Sequence, residues 1–492
     1  MTPLLTAAVM ALSLGACRGD SPPAAAPGPP LPPVVHGTMK VDTVAFGRFG
    51  PVVLYRTSTH PARVVIFISG DGGWNHGVVA MARALASLDA LVVGVDIRRY
   101  FSSLERSGGP CAYPPADFEA LSQGMQRRLG FPAYVPPVLV GYSSGATLVY
   151  ATLVQAPPGT FRGGVSLSFC PDLWLDRKLC RGSGLSWRPG RHAHEVMLAA
   201  ADSMETPWVV LQGADDSTCS VTAAEQFVSR IRGARMVRLS GVGHGFGVQS
   251  HWMPAFRDAF EQLTGTSMAG APAAPEVHDL PLIELPARGG SGMLAVVVSG
   301  DGGWASIDRR IGETLQARGV SVVGLNALQY FWHARTPDES SRDLARVLRH
   351  YLAAWHLGDV LLVGYSMGAE VLPFMASRLP ADLRARVRLV ALLAPSRTAS
   401  FEFHLSELLG GSQGDRPTAP EIERLRGLRV LCLYGTDDKD SVCPALPPGA
   451  ATVVPVEGGH HFGRSYVGLA DRILRAAESG EEAQQQRVGP GP

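Results

Sequence analysis

The chain has 492 residues, more than one hydrophobic core usually supports, which predicts two or three domains. Its 46% hydrophobic and 18% charged residues are ordinary for a globular protein, and a formal net charge of +1 argues against the strongly basic surface that binds nucleic acid. We therefore expect no direct nucleic-acid partner.

The N-terminal segment has the features of an export signal. Residues 4–16 form an apolar stretch too short to span a bilayer, and it ends in Leu-Gly-Ala before Cys17. This ending is typical of a bacterial lipobox, in which cleavage leaves a lipid-modified cysteine at the new N-terminus. We predict a signal at 1–17, a proline-rich tether at 18–39, and a periplasmic lipoprotein held at a membrane surface through Cys17. Because 1–17 contains no lysine or arginine, a plain secretory signal is the alternative.

The remaining six cysteines fall into even sets, four in the first half of the chain and two in the second. Even numbers in an exported protein favour disulfides. Cys432 with Cys443 is the only pairing within the second half, whereas the four cysteines of the first half allow three connectivities. No pair has the CxxC spacing of a zinc site, so we expect no metal.

The hexapeptide SGDGGW occurs twice, at 69–74 and 299–304, each time after an apolar run. Similar strand and helix patterns follow each copy in the same order, which indicates a tandem duplication. Continuous apolar strands alternating with helices predict an α/β fold with two α/β-hydrolase-like domains, each a mainly parallel sheet flanked by helices. The predicted boundaries are 40–263 for the first domain, 264–279 for a linker, 280–478 for the second domain and 479–492 for a disordered tail.

Each half also contains G-x-S-x-G after an apolar strand, at 141–145 and 364–368. On a strand-to-helix turn this motif forms a nucleophile elbow, whose small flanking residues leave the serine hydroxyl exposed above the sheet. The pentapeptide alone is a weak signal in a chain with 56 glycines. It predicts Ser143 and Ser366 as nucleophiles only together with later acids and histidines.

Those acids and histidines follow in the order Ser, Asp, His that α/β-hydrolases use. The candidates are Asp215 or Asp216 with His244 in the first half, and Asp437, Asp438 or Asp440 with His460 in the second. A spacing of three residues from the strand-ending glycine selects Asp216 and Asp438. Aligning the two Asp-Ser-x-Cys segments selects Asp440 instead, so both registers remain open. His461 is interpreted as a packing residue.

The repeated hexapeptide occupies the place of an oxyanion-hole loop. Its glycines allow backbone N–H groups to approach a developing oxyanion, and the residue after each nucleophile supplies a second donor. The predicted loop residues are Gly70, Asp71, Gly72 and Ser144 in the first half, and Gly300, Asp301, Gly302 and Met367 in the second. Each aspartate either stabilises its turn or meets a cationic substrate. Trp74 and Trp304 are interpreted as packing anchors, and we expect no cofactor.

Residues 40–475 resemble the AcvB/VirJ family of exported bacterial virulence-associated proteins. The resemblance is carried by the segments SGDGGW, GYSSGATLVYATL and GYSMGAEVLPF. The second half resembles the VirJ domain, and the two-domain layout resembles AcvB. The resemblance implies a periplasmic serine hydrolase that cleaves the aminoacyl ester of lysyl-phosphatidylglycerol, and a link to virulence and type IV secretion components. It also implies Ser366, Asp438 and His460 as the catalytic residues.

Two other functions compete with this interpretation. A duplicated hydrolase fold can serve as a non-catalytic periplasmic adaptor for secretion, because folds persist after activities are lost. A serine esterase or peptidase acting on another substrate would use the same residues, since a triad does not distinguish ester from amide bonds. Complete Ser, Asp and His sets in both halves favour an enzyme, and we expect the second half to be the main catalyst.

Overall fold

A computed structural model describes residues 38–106, 111–181, 184–265, 277–287, 289–304, 306–403, 414–464 and 466–485. The predicted signal, Cys17 and nearly all of the predicted tether lie outside these residues. In the part of the chain that is described, each half folds around its own mainly parallel sheet. Among the described residues, no helix combines the length and apolar character needed to cross a membrane.

The strands of the first domain are Lys40–Phe46 (β1), Gly50–Arg56 (β2), Arg63–Ile68 (β3), Ala90–Val95 (β4), Val138–Tyr142 (β5), Gly163–Leu167 (β6), Asp172–Trp174 (β7), Trp187–Pro189 (β8), Glu195–Leu198 (β9), Ser203–Gly213 (β10) and Arg232–Leu239 (β11). Its helices are His76–Ala86 (α1), Ile97–Arg106 (α2), Pro114–Arg128 (α3), Ser144–Gln155 (α4), Val221–Val228 (α5) and Gln249–Gly265 (α6). The main sheet has the order β1-β2-β4-β3-β5-β6-β10-β11, and β7-β9-β8 forms a small separate sheet. In the main sheet β2 pairs antiparallel with both β1 and β4, and the remaining pairs are parallel.

The strands of the second domain are Leu282–Leu285 (β12), Met293–Val298 (β13), Ser321–Leu325 (β14), Asp359–Tyr365 (β15), Val387–Leu393 (β16), Thr398–Ala399 (β17), Arg416–Pro417 (β18), Val430–Gly435 (β19) and Thr452–Val456 (β20). Its helices are Ser306–Ala317 (α7), Ala327–Tyr330 (α8), Pro337–Ala354 (α9), Met367–Ser377 (α10), Ala381–Arg384 (α11), Thr418–Glu423 (α12) and Tyr466–Gln485 (α13). The main sheet has the order β12-β14-β13-β15-β16-β19-β20, with only β12 antiparallel, and β17 pairs with β18.

The central strands are continuous apolar runs because both of their faces are covered. Along β3, Val64 and Ile66 belong to the apolar cluster on one face of the sheet, whereas Val65 and Phe67 belong to the cluster on the other. The same alternation divides β13 between two clusters. The predicted fold class, two tandem α/β-hydrolase-like domains, is confirmed.

Helices and core residues of both domains extend beyond the predicted boundaries. Helix α6 continues to Gly265, and Val277 is fully buried in the second core, so both ends of the predicted linker 264–279 belong to the domains. Helix α13 continues to Gln485, seven residues into the predicted disordered tail that began at 479. Composition alone did not reveal this extension, although the Glu, Ala and Gln of its last turns are good helix formers.

The six cysteines outside the signal form three disulfides. Cys432 pairs with Cys443, the pairing that was expected in the second domain. In the first domain the structure selects one of the three open connectivities, Cys111 with Cys180 and Cys170 with Cys219.

The two domains contact each other through a small aromatic cluster and polar bonds around it. Tyr134 of the first domain packs with Leu328, Trp332 and Phe403 of the second. The Trp332 indole N–H donates to the Phe131 carbonyl at 2.8 Å, so the contact is polar as well as apolar. The loop after α3 therefore packs against α8, the residues that follow it and Phe403.

Candidate active site

Both predicted nucleophiles lie on sharp turns between a strand and a helix. Ser143 separates β5 from α4, with φ 55° and ψ −123°, and Ser366 separates β15 from α10, with φ 52° and ψ −122°. Non-glycine residues rarely adopt positive φ, and such strain is characteristic of nucleophile elbows. Each serine N–H donates to the carbonyl that ends the neighbouring strand, Leu167 or Leu393, at 2.9 Å.

The glycines of G-x-S-x-G are required by close backbone contacts. A Cβ added at Gly368 would lie 2.1 Å from the Val298 carbonyl oxygen, and one added at Gly364 would lie 2.5 Å from the Gly368 oxygen. Only glycine allows α10 to begin this close to β13 and β15. In the first domain, a Cβ at Gly145 would lie 2.4 Å from the Ile68 oxygen, so the same constraint applies there.

In the second domain the structure brings together a serine, a histidine and an aspartate from three separate loops. The Ser366 hydroxyl lies 2.9 Å from Nε2 of His460, and Nδ1 of His460 lies 2.8 Å from Oδ2 of Asp438. Asp440 is exposed, and its N–H donates to Asp438 at 3.3 Å. The three-residue spacing after Gly435 therefore identifies the aspartate that meets the histidine, and the Asp440 register does not.

The first domain has the corresponding arrangement. Oγ of Ser143 lies 3.1 Å from Nε2 of His244, whose Nδ1 lies 3.1 Å from both carboxylate oxygens of Asp216. The Asp216 side chain is fully buried, so it can fix the orientation of the imidazole. Asp215, the alternative acid, donates its N–H to the Val242 carbonyl, and the carboxylate that meets His244 is that of Asp216.

Ser168 is a fourth member of the first site that sequence reasoning missed. Its hydroxyl contacts the Asp216 carboxylate and lies 2.8 Å from Nδ1 of His244. Burial by itself raises the pKa of Asp216, but the Ser168 hydroxyl, the Cys219 amide and His244 outweigh it and lower the pKa. The signal in the sequence is Leu-Ser-Phe after β6, where the second domain has Leu-Ala-Pro after β16.

The Asp216, His244 and Cys219 side chains also cluster within 4.8 Å, a spacing that could suggest a metal site. Cys219 is bonded to Cys170, however, so its sulfur is not a free thiolate ligand. The His–Asp pair is explained by the serine it faces.

The repeated SGDGGW loops lie directly against the nucleophiles. A Cβ added at Gly300 would lie 3.4 Å from the Ser366 Cβ, and one at Gly70 would lie 2.9 Å from the Ser143 Cβ. Each loop closes a tight turn in which the fifth-position glycine has positive φ, 71° at Gly73 and 74° at Gly303. The loop glycines therefore allow backbone to pass beside the serine, where an oxyanion would form.

The residue after each nucleophile begins a helix, so its N–H has no intrahelical acceptor and can serve as the second oxyanion donor. In the second domain this residue is Met367, the first residue of α10. In the first domain it is Ser144, whose hydroxyl donates to Asp71 at 2.5 Å. Asp301 accepts instead from the N–H of Gly302 at 3.1 Å.

The flanking aromatic residues support the two loops. Trp74 and Trp304 cover glycines of the adjacent strands, since a Cβ at Gly94 or Gly324 would lie 2.2 Å or 2.3 Å from the indole. Both tryptophans are therefore packing anchors.

The tyrosine before each nucleophile holds the histidine loop. The Tyr142 hydroxyl donates to the His244 carbonyl at 3.0 Å, and the Tyr365 hydroxyl lies 2.6 Å from Nδ1 of His461. His461 contacts Tyr365, whereas the neighbouring His460 contacts the nucleophile. Each tyrosine thus connects the strand that carries the serine to the loop that carries the histidine.

Two mainly parallel sheets, each with a strained serine after a central strand and with an acid and a histidine after later strands, define a tandem α/β-hydrolase-fold protein. The chain belongs to the bacterial virulence protein VirJ family, whose model matches residues 62–163 and 292–481. The matched segments include both SGDGGW loops and both elbow serines.

Solved structures of single-domain size are similar to parts of this chain. An esterase domain of a Rhodothermus marinus protein has 14% identity and a TM-score of 0.31, covering 46% of this chain and 98% of its own. A putative dienelactone hydrolase from Klebsiella pneumoniae has 14% identity and a TM-score of 0.34, with coverage of 46% and 98%. A lidless α/β serine hydrolase from Xanthomonas campestris has 19% identity and a TM-score of 0.31, with coverage of 50% and 100%. No curated protein matches the chain.

Proposed function

We propose that this protein is an exported serine hydrolase that cleaves the aminoacyl ester of lysyl-phosphatidylglycerol to release lysine and phosphatidylglycerol. The observation that carries the hydrolase proposal is the second-domain site, in which His460 lies 2.9 Å from Ser366 and 2.8 Å from Asp438. The lipid substrate is supported by the resemblance to AcvB/VirJ proteins and by membership of the VirJ family.

In the first half of the proposed reaction, Ser366 attacks the ester carbonyl carbon while its proton passes to Nε2 of His460. Asp438 accepts the Nδ1–H of His460, which orients the ring and stabilises the imidazolium. Backbone N–H groups of the loop at Gly300 and of Met367 face the oxyanion. The intermediate then collapses, the bond from the acyl carbon to the glycerol oxygen breaks, and His460 protonates that oxygen, which leaves as a hydroxyl of phosphatidylglycerol.

In the second half, water replaces the lipid. His460 takes a proton from a water molecule as the water oxygen attacks the lysyl ester of Ser366. The second tetrahedral intermediate uses the same N–H groups, and its collapse returns the proton from His460 to the serine oxygen. Lysine leaves with its new carboxylate, and the enzyme returns to its starting state.

The proposed location brings enzyme and substrate to one surface. An exported chain anchored through a lipid at Cys17 would hold both catalytic domains beside the phospholipid headgroups. Association with secretion-system components, which the family resemblance implies, is part of the same proposal.

The test is hydrolysis of purified lysyl-phosphatidylglycerol in mixed micelles, with released lysine measured against time. The parent protein should release lysine, and the double variant Ser143→Ala, Ser366→Ala should not, while keeping the parental thermal transition. Labelling with a fluorophosphonate and peptide mapping should identify the elbow serines. If the double variant releases lysine at the parental rate, the serine mechanism is wrong; if the parent releases none and is not labelled, the adaptor function is favoured.

A further inference from the structure

One helix of the first domain reaches the glycine loop of the second domain. Glu119 lies on α3, and a Cβ added at Gly302 would lie 4.0 Å from its Oε1. Gly302 belongs to the SGDGGW loop that passes beside Ser366. A carboxyl group of the first domain thus lies at the edge of the second active site.

The face of α3 that carries Glu119 continues along the domain interface. Glu119, Gln123 and Arg127 are spaced four residues apart and therefore share one side of the helix. Arg127 donates to the Trp332 carbonyl at 2.6 Å and also to the Phe403 carbonyl, both in the second domain. Gln123 lies one helical turn from both Glu119 and Arg127 and is 1% exposed, and neither polar atom of its amide has a hydrogen-bond partner among the described residues. A buried amide without a partner on the helix face that carries Glu119 needs an explanation, and a bound polar ligand would supply one.

Glu119 and Asp301 form a pair of carboxyl groups that lacks a cation. In the part of the chain that is described, neither forms an ion pair with a basic residue. Burial and, to a smaller extent, the Asp301 charge raise the pKa of Glu119 to about 8. Burial and the nearby Glu119 carboxyl in turn raise the pKa of Tyr134. A cation placed between Glu119 and Asp301 would stabilise both in their ionised forms.

The duplication itself shows that Glu119 is not a repeated structural feature. In the first domain Tyr100 donates to Asp117 at 2.8 Å, and in the second Tyr330 donates to Asp343 at 2.7 Å. Matching these two pairs aligns α3 of the first domain with α9 of the second. Two residues beyond the aspartate, α9 carries the buried Ala345 where α3 carries Glu119.

We propose that the first domain completes the substrate site of the second. Glu119 and Gln123 join Asp301 to bind an ammonium group on the aminoacyl part of the substrate ester. The ester is then hydrolysed at Ser366, so this inference rests on the proposed function and adds the source of its selectivity. The ligand class is a cationic aminoacyl ester. The tandem arrangement thereby acquires a function, because neither domain alone contains all three polar groups.

The test compares esters that differ only in their charges, using the full mature chain. The probes are the p-nitrophenyl esters of lysine, of norleucine and of hexanoic acid, which carry two, one and no ammonium groups. In Glu119→Gln, the kcat/KM ratio of lysine ester to hexanoate should fall about tenfold or more, as expected when a charge-assisted contact is lost. The norleucine ester shows whether the α- or the ε-ammonium is bound. Glutamine resembles the protonated carboxyl in size and hydrogen bonding, so the variant should fold.

A matched control uses another glutamate of the first domain that contacts the second. Glu205 forms an ion pair with Arg309 on α7 rather than with the glycine loop. Glu205→Gln should keep the parental rates and the parental ratio, which separates substrate binding from domain docking.

The outcomes distinguish this inference from the proposed function. An unchanged ratio in Glu119→Gln, or an equal loss for all three esters, would overturn the inference while loss of turnover in Ser366→Ala upheld the hydrolase. Turnover that survives in the double serine variant would overturn the proposed function itself.

Discussion

The two candidate sites share the geometry of the elbow and differ at the acid. Their nucleophiles differ by 3° in φ and 1° in ψ, 55° and −123° against 52° and −122°. In the second site Asp438 contacts His460 directly at 2.8 Å. In the first site the Ser168 hydroxyl contacts both the Asp216 carboxylate and Nδ1 of His244, and the distance from Asp216 to His244 is 3.1 Å.

Ser168 and Ala394 occupy the same backbone position in the two domains. Both follow the strand next to the elbow strand with positive φ, 59° and 50°. Their N–H groups donate to the equivalent carbonyls of Leu211 and Leu433, at 3.1 Å and 2.8 Å. The serine of the first domain is therefore a local substitution in an otherwise retained framework.

The glycine loops have diverged as well. Asp71 is engaged by the Ser144 hydroxyl next to its own nucleophile, whereas Asp301 faces Glu119 across the domain interface. The two domains thus share the backbone that presents the serine and differ in the side chains around it. This difference is the basis of the proposal that the second domain is the main catalyst for a cationic ester.

The largest expected effect separates the two nucleophiles. Ser366→Ala should lower lysyl-phosphatidylglycerol turnover by several orders of magnitude, as loss of a triad serine does, while Ser143→Ala should cost far less. Released lysine from purified lipid is the measurement, with thermal unfolding as the control for folding. Equal losses, or a larger loss from Ser143→Ala, would reverse the assignment of the main catalyst.

The next expected effect is on stability and concerns the disulfides near the loops that carry Asp216 and Asp438. Cys219 donates its N–H to Asp216 at 2.8 Å and is bonded to Cys170, whereas Cys443 is bonded to Cys432 within β19. Replacing Cys432 and Cys443 by alanine should lower the free energy of unfolding by about 3 kcal/mol, the entropic value for a loop of this length.

Denaturant unfolding of the double variant against the parent, both without reductant, measures this disulfide, and unfolding of the parent with reductant measures all three disulfides together. Intact mass under non-reducing conditions is the control, since it counts free thiols. A midpoint that does not change on reduction, or six free thiols on the mature chain, would contradict the disulfides.

A smaller effect tests the divergence of the glycine loops. Asp301→Asn should raise the KM for lysyl-phosphatidylglycerol about tenfold relative to that for a neutral acyl ester, because a charge-assisted contact to the ammonium is lost. Asp71→Asn in the first domain is the matched control and should leave that ratio unchanged. If the two variants change the ratio equally, the loops have not diverged in substrate binding.

The smallest expected effect comes from the residue beside the catalytic acid, Ser168 in the first site and Ala394 in the second. Ala394→Ser places a hydroxyl where it competes for Asp438 and His460, and should lower kcat on p-nitrophenyl hexanoate by about two- to tenfold, the range of one neutral hydrogen bond. The reciprocal Ser168→Ala, made with Ser366→Ala, should increase fluorophosphonate labelling of Ser143. Parental rates in Ala394→Ser would show that the Ser168 contact does not explain the difference between the sites.

Much of the fold could be predicted because it is encoded locally. The apolar runs at 64–68 and 294–298 indicate strands covered on both faces, and their repetition indicates two domains. The end of the second domain could not be predicted in this way, since polar residues after 478 are compatible with both a helix and a disordered tail. Helix α13 continues there to Gln485.

The sequence by itself determined the features that contiguous residues specify. The G-x-S-x-G turns need glycines at 364 and 368 because backbone atoms lie within 2.5 Å of any added Cβ, and SGDGGW needs glycine at 303 because its φ is 74°. The chain order of serine, acid and histidine follows from the order of the strands.

Only the tertiary structure decided which distant groups meet. It selected Asp438 over Asp440, chose one of three disulfide patterns in the first domain, placed Ser168 between an acid and a histidine, and brought Glu119 to the loop of the other domain. The physical reason is that parallel strands align their carboxyl ends at one edge of a sheet, so loops far apart in sequence converge there. Which side chains then touch depends on the register of the strands and the docking of the domains, and no local pattern encodes either.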